Sequence, residues 1–174
     1  RHAVGGDRHI QFQRGPAKRQ RGGETLQRVF RNQATGAAMT SSSQPSAVAR
    51  LLRPRSVAIV GASADPLSAG ARVLGNLDLV GFDGAVHLVI RLAREIGGRA
   101  CVPTIEDLPP GIDAAVLVVP EAAVADAVAS CAARGMGGVA VFAAGFAETG
   151  PEGRAKQDRI AAIAREAGLA LDGP

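Results

Sequence analysis

The sequence contains no tryptophan and no tyrosine, and it has only two cysteines and three histidines. His2 and His9 lie close to the start, so His87 stands alone in the remainder. One imidazole cannot build a histidine-based metal cluster or a Ser-His-Asp set, which excludes both as readings of the pattern. Cys101 and Cys131 are thirty residues apart, with no C-x-x-C spacing and no histidine nearby, and read as buried structural thiols. No apolar run is long enough to cross a bilayer, so the expectation is a soluble, cytoplasmic protein without a membrane partner.

Acidic residues are scarce at the start of the chain. Residues 1–38 hold eight Arg or Lys against Asp7 and Glu24, while residues 39–174 hold twelve basic and fourteen acidic residues. The formal net charge of +4 therefore belongs to the first segment. That segment is rich in Gly, Arg and Gln and lacks sustained periodicity, so residues 1–46 are expected to be a disordered basic tail and linker. It reads as upstream translated sequence or a fragment edge. The alternatives are a basic arm for nucleic acid or an anionic surface, and a cleaved targeting peptide. No aromatic platform is interleaved with the arginines, so no specific nucleic-acid partner is expected.

From residue 47 onward strand and helix signals alternate. Ala47–Leu52 suits a short lead helix, broken by Arg53-Pro54-Arg55. Val57–Val60 is a continuous apolar run of the kind a parallel sheet buries on both faces, and Gly61 then turns it toward a helix starting near Ser68. Leu67–Val80 carries Ala71, Leu74, Leu77 and Val80 at helical spacing. Strands are expected at Ala85–Val89, Ala114–Val119 and Gly138–Phe142, with a last one beginning at Leu169–Leu171. A loop leading to a short C-V-P and a helical turn at Ile105–Leu108 fills the space before the third strand. Glu121–Arg134 and Pro151–Gly168 are helices, the latter with proline at a favoured first position. This alternation predicts an α/β domain over residues 47–174, a doubly wound parallel sheet of the Rossmann type with both faces covered.

Sheets of this kind bind ligands outside the carboxyl ends of their strands. The residues there are Gly61, Ala62, Ser63, Ala64, Asp65 and Pro66, then Ile90 and Arg91, then Pro120 and Glu121, then Ala143, Ala144, Gly145 and Phe146. A glycine turn running into a helix start is suited to an anion. The turn reads G-A-S-A-D-P and lacks the later glycines of G-x-G-x-x-G. The second strand ends in Ile90-Arg91 where NAD would need an acidic residue for its ribose. An arginine there can grip a phosphate monoester, which matches NADP or the ribose 3′-phosphate of coenzyme A; a solvated Arg91 and Arg94 pair is the alternative.

Several motifs fall in one order: L-x-x-P-R-S-V-A-I-V-G-A-S over Leu51–Ser63, then G-F-x-G, E-I-G-G-R-A-C-V-P-T-I-E-D-L-P, D-A-A-V-L-V-V-P, A-A-G-F-A-E-T-G over Ala143–Gly150, and a final Gly173-Pro174. With them the chain from about Leu51 resembles the CoA-binding domain that opens NDP-forming acyl-CoA synthetases, the acetate–CoA ligase family related to the succinyl-CoA synthetase alpha subunit. The resemblance implies CoA as ligand, held by Gly61, Ala62, Ser63 and the turn through Ala64 and Asp65 to Pro66, with further contacts from Val119, Pro120, Ala143, Ala144 and Gly145. The family usually ends its second strand in Asn-Pro and a lysine; this chain has Ile90-Arg91-Leu92, where Arg91 or Arg94 would have to compensate. The resemblance also implies a phosphorylated histidine in a following domain and an ATP-grasp module that binds ATP or ADP, and neither pattern is present. The expectation is a C-terminally truncated, ligand-binding piece that does not catalyse alone, partnered by the remaining ligase domains or an ATP-grasp subunit. A stand-alone CoA-binding regulatory module and an NADP-binding reductase or sensor are the alternatives.

Overall fold

The computed structural model describes residues 45–174. Of the expected tail and linker, residues 1–44 lie outside the described residues. Helix α1 (Ala47–Leu52) starts at Ser46, whose Oγ accepts the Ala49 N–H at 3.2 Å. Strand β1 (Ser56–Val60) leads through the glycine turn to α2 (Ala69–Leu79), where the Ser68 hydroxyl accepts the Ala71 N–H at 3.1 Å. Then come β2 (Ala85–Val89), β3 (Glu95–Ile96), β4 (Arg99–Val102), a 3-10 turn (Ile105–Asp107), β5 (Ala114–Leu117), α3 (Glu121–Ala133), β6 (Gly138–Val141), a second 3-10 turn (Ala147–Thr149), α4 (Pro151–Glu166) and β7 (Ala170–Asp172).

The strands form one sheet in the order β3-β4-β2-β1-β5-β6-β7. Six of the seven are parallel, as the alternation predicts, and the order reverses between β1 and β5. The edge departs from expectation. Where the sequence suggested a loop, β3 and β4 form an antiparallel hairpin across Gly97 and Gly98, both at positive φ (56° and 78°), the backbone that two-residue hairpin turns favour. The third and fourth parallel strands also stop earlier than expected, at Leu117 and Val141, so Val118, Val119 and Phe142 belong to the loops at the carboxyl end.

Side-chain alternation divides the core into two layers. Val57 and Ile59 of β1 join Leu88 of β2, Leu74 of α2 and Ile96 on one face. Ala58 and Val60 join Ala115, Leu117, Val139 and Val141 on the other, against Val124 and Val128 of α3 and Ile160 and Ala164 of α4. Cys131 is fully buried in this second layer and its thiol is pushed up to about 12, chiefly by burial; Cys101 is only half-buried, packed against the first layer.

The amino end of the sheet is fastened by one buried carboxylate. Asp113, just before β5, is 3% exposed and receives Arg50 Nε on Oδ1 at 2.9 Å. Its Oδ2 receives both the backbone N–H and Nε of Arg55, each at 3.0 Å. Arg50 Nη2 also reaches the carbonyls of Gly111 and Ile112. The lead helix and β1 are thereby tied to β5 before the strands begin.

The Arg55 hydrogen bond, helped by Arg50 and opposed by burial, holds the Asp113 carboxyl at about 2, below its ordinary 3.8. A depressed carboxyl pKa stabilises the fold above the unfolded value, and that stabilisation is lost as pH falls from 3.8 through about 2. Its size is about 2 kcal/mol. Asp113→Asn is expected to lower the unfolding free energy at neutral pH by roughly 2–4 kcal/mol in urea titrations. The gap from the wild-type chain should narrow when the titrations are repeated at low pH.

Candidate functional site

A cleft of about 570 Å³ opens at the carboxyl ends of β1, β2 and β5, at the point where the strand order reverses. That volume is in the range of small-molecule sites. Val60, Gly61, Val118 and Val119 line it together with Val89 to Leu92, Pro103 to Glu106 and one face of α3 that runs from Ala123 to Ser130. Of the residues read from the sequence, Gly61, Ile90, Arg91, Val119 and Pro120 line it, while Ala62 to Pro66 do not. Arg91 and Leu92 are exposed there, Leu92 by 98%.

Gly61 is placed by a steric demand. Its φ is +88°, and a Cβ at this position would stand 2.0 Å from the Val118 carbonyl oxygen. Gly70, in the first turn of α2, is equally confined: its Cβ would lie 2.4 Å from Gly61 O. The turn and the helix start thus touch backbone to backbone. The N–H groups of Gly61 and Ala62 both donate to Val89 O, at 3.1 and 3.2 Å. Among the described residues, those of Ser63, Ala64, Ala69 and Gly70 have no protein acceptor. Ser63 Oγ accepts the Asp65 N–H at 3.1 Å, and Asp65 in turn caps Leu67 N–H through Oδ1 at 2.9 Å. The turn through Pro66 is therefore fixed by its own side chains, with the neighbouring amides open.

A second group gathers beside it. Gly145, at φ +108°, lies against Glu121 at the start of α3, close enough that a Cβ would meet Glu121 Cγ at 3.1 Å. This brings Ala143, Ala144 and Gly145 next to the Val119-Pro120 segment, although they do not line the cleft itself. The Gly145 N–H donates to Glu148 Oε1 at 2.6 Å, which is the leading reason the Glu148 carboxyl sits below its usual range. Phe146 is wholly buried and pins the turn beneath α4, where Gly153 leaves it room. Lys156 pairs with Glu121 at 3.1 Å.

Sequence reading missed the far wall of the cleft: Thr104, Glu106, Asp126 and Ser130. Arg94 lines an adjoining hollow with Cys101, which shares Ile90, Arg91, Leu92 and Pro103 with the cleft. His87 lines another hollow, between β2 and β4, away from the cleft. Among the described residues no group of three His, Cys, Asp or Glu is placed to hold a metal, and no helix is long and apolar enough to cross a membrane.

The family model described as "CoA binding domain" matches residues 55–174. The chain belongs to that family. This CoA-binding domain is 43% identical over 125 residues to a trans-feruloyl-CoA synthase from an unknown prokaryotic organism, covering 72% of this chain and 18% of the relative. It is 34% identical over 122 residues to the alpha subunit of an ADP-forming acetate–CoA ligase II of Pyrococcus furiosus, covering 70% of this chain and 26% of that one. Among solved structures, a dinucleotide-forming acetyl-coenzyme A synthetase from Ca. Korarchaeum cryptofilum, in complex with phosphate and ADP, superposes with a TM-score of 0.69 at 33% identity. The match covers 73% of this chain and 27% of the other. The resemblance to NDP-forming acyl-CoA synthetases read from the motifs thus holds for the CoA-binding domain, and the chain spans about a fifth to a quarter of these relatives.

Because both crowding and positive φ forbid a side chain at the turn, Gly61→Ala is expected to destabilise the CoA-binding domain by about 3 kcal/mol or more. Chemical denaturation followed by circular dichroism checks this, with Gly75→Ala, in open space on α2, as the comparison that should cost nothing.

Proposed function

We propose that the chain binds the nucleotide end of coenzyme A at the cleft where the strand order reverses, as the CoA-binding part of an NDP-forming acyl-CoA ligase. The observation that carries the reading is the pairing of Arg91 on one rim with open amides at the glycine turn next to it. Gly61 and Ala62 supply close approach, while Ser63, Ala64, Ala69 and Gly70 supply the free N–H donors for diphosphate oxygens at a helix start. Arg91 then takes the ribose 3′-phosphate in place of the family's usual lysine. Val119, Pro120, Ala143, Ala144 and Gly145 form a ledge of small or rigid residues along which the rest of the ligand runs.

The ligase reaction joins a carboxylate to the CoA thiol at the expense of a nucleoside triphosphate, and nothing in the cleft performs it. The role proposed for this domain is to hold CoA, with acid activation, ATP or ADP binding and the phosphorylated histidine supplied by other ligase domains or an ATP-grasp subunit. Residues 47–174 are the proposed folded unit for this role.

Calorimetric titration of the full chain with CoA, dephospho-CoA and NADPH tests the reading. CoA should bind more tightly than dephospho-CoA, and Arg91→Ala should weaken CoA by about tenfold or more while leaving dephospho-CoA nearly unchanged. Preference for NADPH would replace the reading with a reductase or sensor, and equal binding of CoA and dephospho-CoA would remove Arg91 from it.

A further inference from the structure

Of the twenty Lys and Arg residues in the chain, only Lys18 and Lys156 are lysines. Lys156, in the second turn of α4, is therefore the one side-chain primary amine among the described residues. Its Nζ stands 3.1 Å from Glu121 Oε1, with the lysine side chain 52% and the glutamate side chain 29% exposed. Glu121 is the first residue of α3, and Gly145 lies against its stem. Pro120, just before it, lines the cleft, while Glu121 and Lys156 line a hollow of about 260 Å³ with Ala122, Ala125, Arg159 and Ile160. One step along the chain thus separates the cleft from an amine held against a carboxylate. Half of the side chains lining the hollow are apolar, and among the described residues Arg159 forms no ion pair.

An amine, a carboxylate in contact with it, a guanidinium and a small apolar hollow are the parts that acyl transfer to nitrogen requires. We propose that Lys156 is an acylation site, taking a short acyl group from an acyl thioester of CoA with Glu121 as the base. This rests on the CoA reading and adds that the domain is itself modified by the thioester form of its ligand. Glu121 takes a proton from the ammonium, and the freed lone pair adds to the thioester carbonyl carbon, forming the C–N bond. The C–S bond then breaks and its electron pair leaves on the CoA sulfur. Of the three ammonium protons one stays on the amide nitrogen, one ends on the CoA thiol and one passes to solvent, so the step needs no oxidant or reductant. Arg159 is the donor at hand for the oxyanion of the tetrahedral intermediate, and Ala122, Ala125 and Ile160 receive the acyl chain. Acylation removes the Lys156 charge and with it the ion pair to Glu121.

The probe is acetyl-CoA. The full chain is incubated with it, hydroxylamine clears any acyl group from the cysteines, and peptide mass mapping follows Lys156 with Lys18 as the internal reference. Calorimetric titration with CoA runs in parallel. Lys156 should be acetylated about tenfold or more faster than Lys18, at a rate that saturates with acetyl-CoA and falls when free CoA is added. Glu121→Gln keeps the shape of the side chain and removes the base; it should slow Lys156 about tenfold or more and leave Lys18 unchanged, with circular dichroism checking that the variant folds. CoA binding with Lys156 labelled no faster than Lys18 would overturn this inference and leave the CoA reading standing, as would a Lys156 rate untouched in folded Glu121→Gln. Failure of CoA itself to bind the folded chain would overturn the CoA reading and this inference together.

Discussion

At the carboxyl end of β1 the backbone of Gly61 passes the Val118 carbonyl with no space for a side chain, and α2 begins against the same glycine through Gly70. The architecture of the carboxyl edge follows from that contact. Because the turn is so tight, the start of α2 is held against Gly61, which itself lines the cleft at the carboxyl ends of β1 and β5. Two residues without side chains thus fix the path of the backbone from β1 into α2.

The anchoring cluster and the cleft lie at opposite ends of the sheet. At the amino end, Asp113 gathers Arg50 and Arg55 and is itself nearly inaccessible, so the lead segment and the two central strands are held in register by charge-assisted bonds. At the carboxyl end the groups facing the cleft are largely open: Arg91, Leu92, Asp126 and Glu106 are all exposed. This leaves the cleft end free to carry groups that contribute little to folding. Departures such as Ile90-Arg91-Leu92 can therefore be accommodated there without disturbing the sheet.

The fold was legible because its signals are local. The apolar run at Val57–Val60, the serine before α2 and the proline opening α4 each act over a few residues, and the structure places each where its chemistry requires. The β3–β4 hairpin escaped notice because its strands are too short to show alternation, although the Gly97-Gly98 pair was the available signal. The site was legible on one side only. Glycine turns and strand ends announce themselves, whereas Asp126 and Ser130 look like the solvent face of an alanine-rich helix until the packing of α3 brings them to the cleft. The destination of the Gly61 and Ala62 amides was also invisible in one dimension, since their acceptor, Val89, belongs to the next strand.

The two thiols mark different layers of the same sheet. Cys131 sits sealed in the layer beneath α3 and α4, while half-buried Cys101 packs on the layer beneath α2, beside the edge hairpin. With no third cysteine in the sequence, the pair forms a built-in set of chemical clocks. The rate at which a thiol reagent reaches Cys101 times the fraying of the hairpin edge, the rate at which it reaches Cys131 times the opening of the main core, and the ratio of the two measures how far the layers come apart independently.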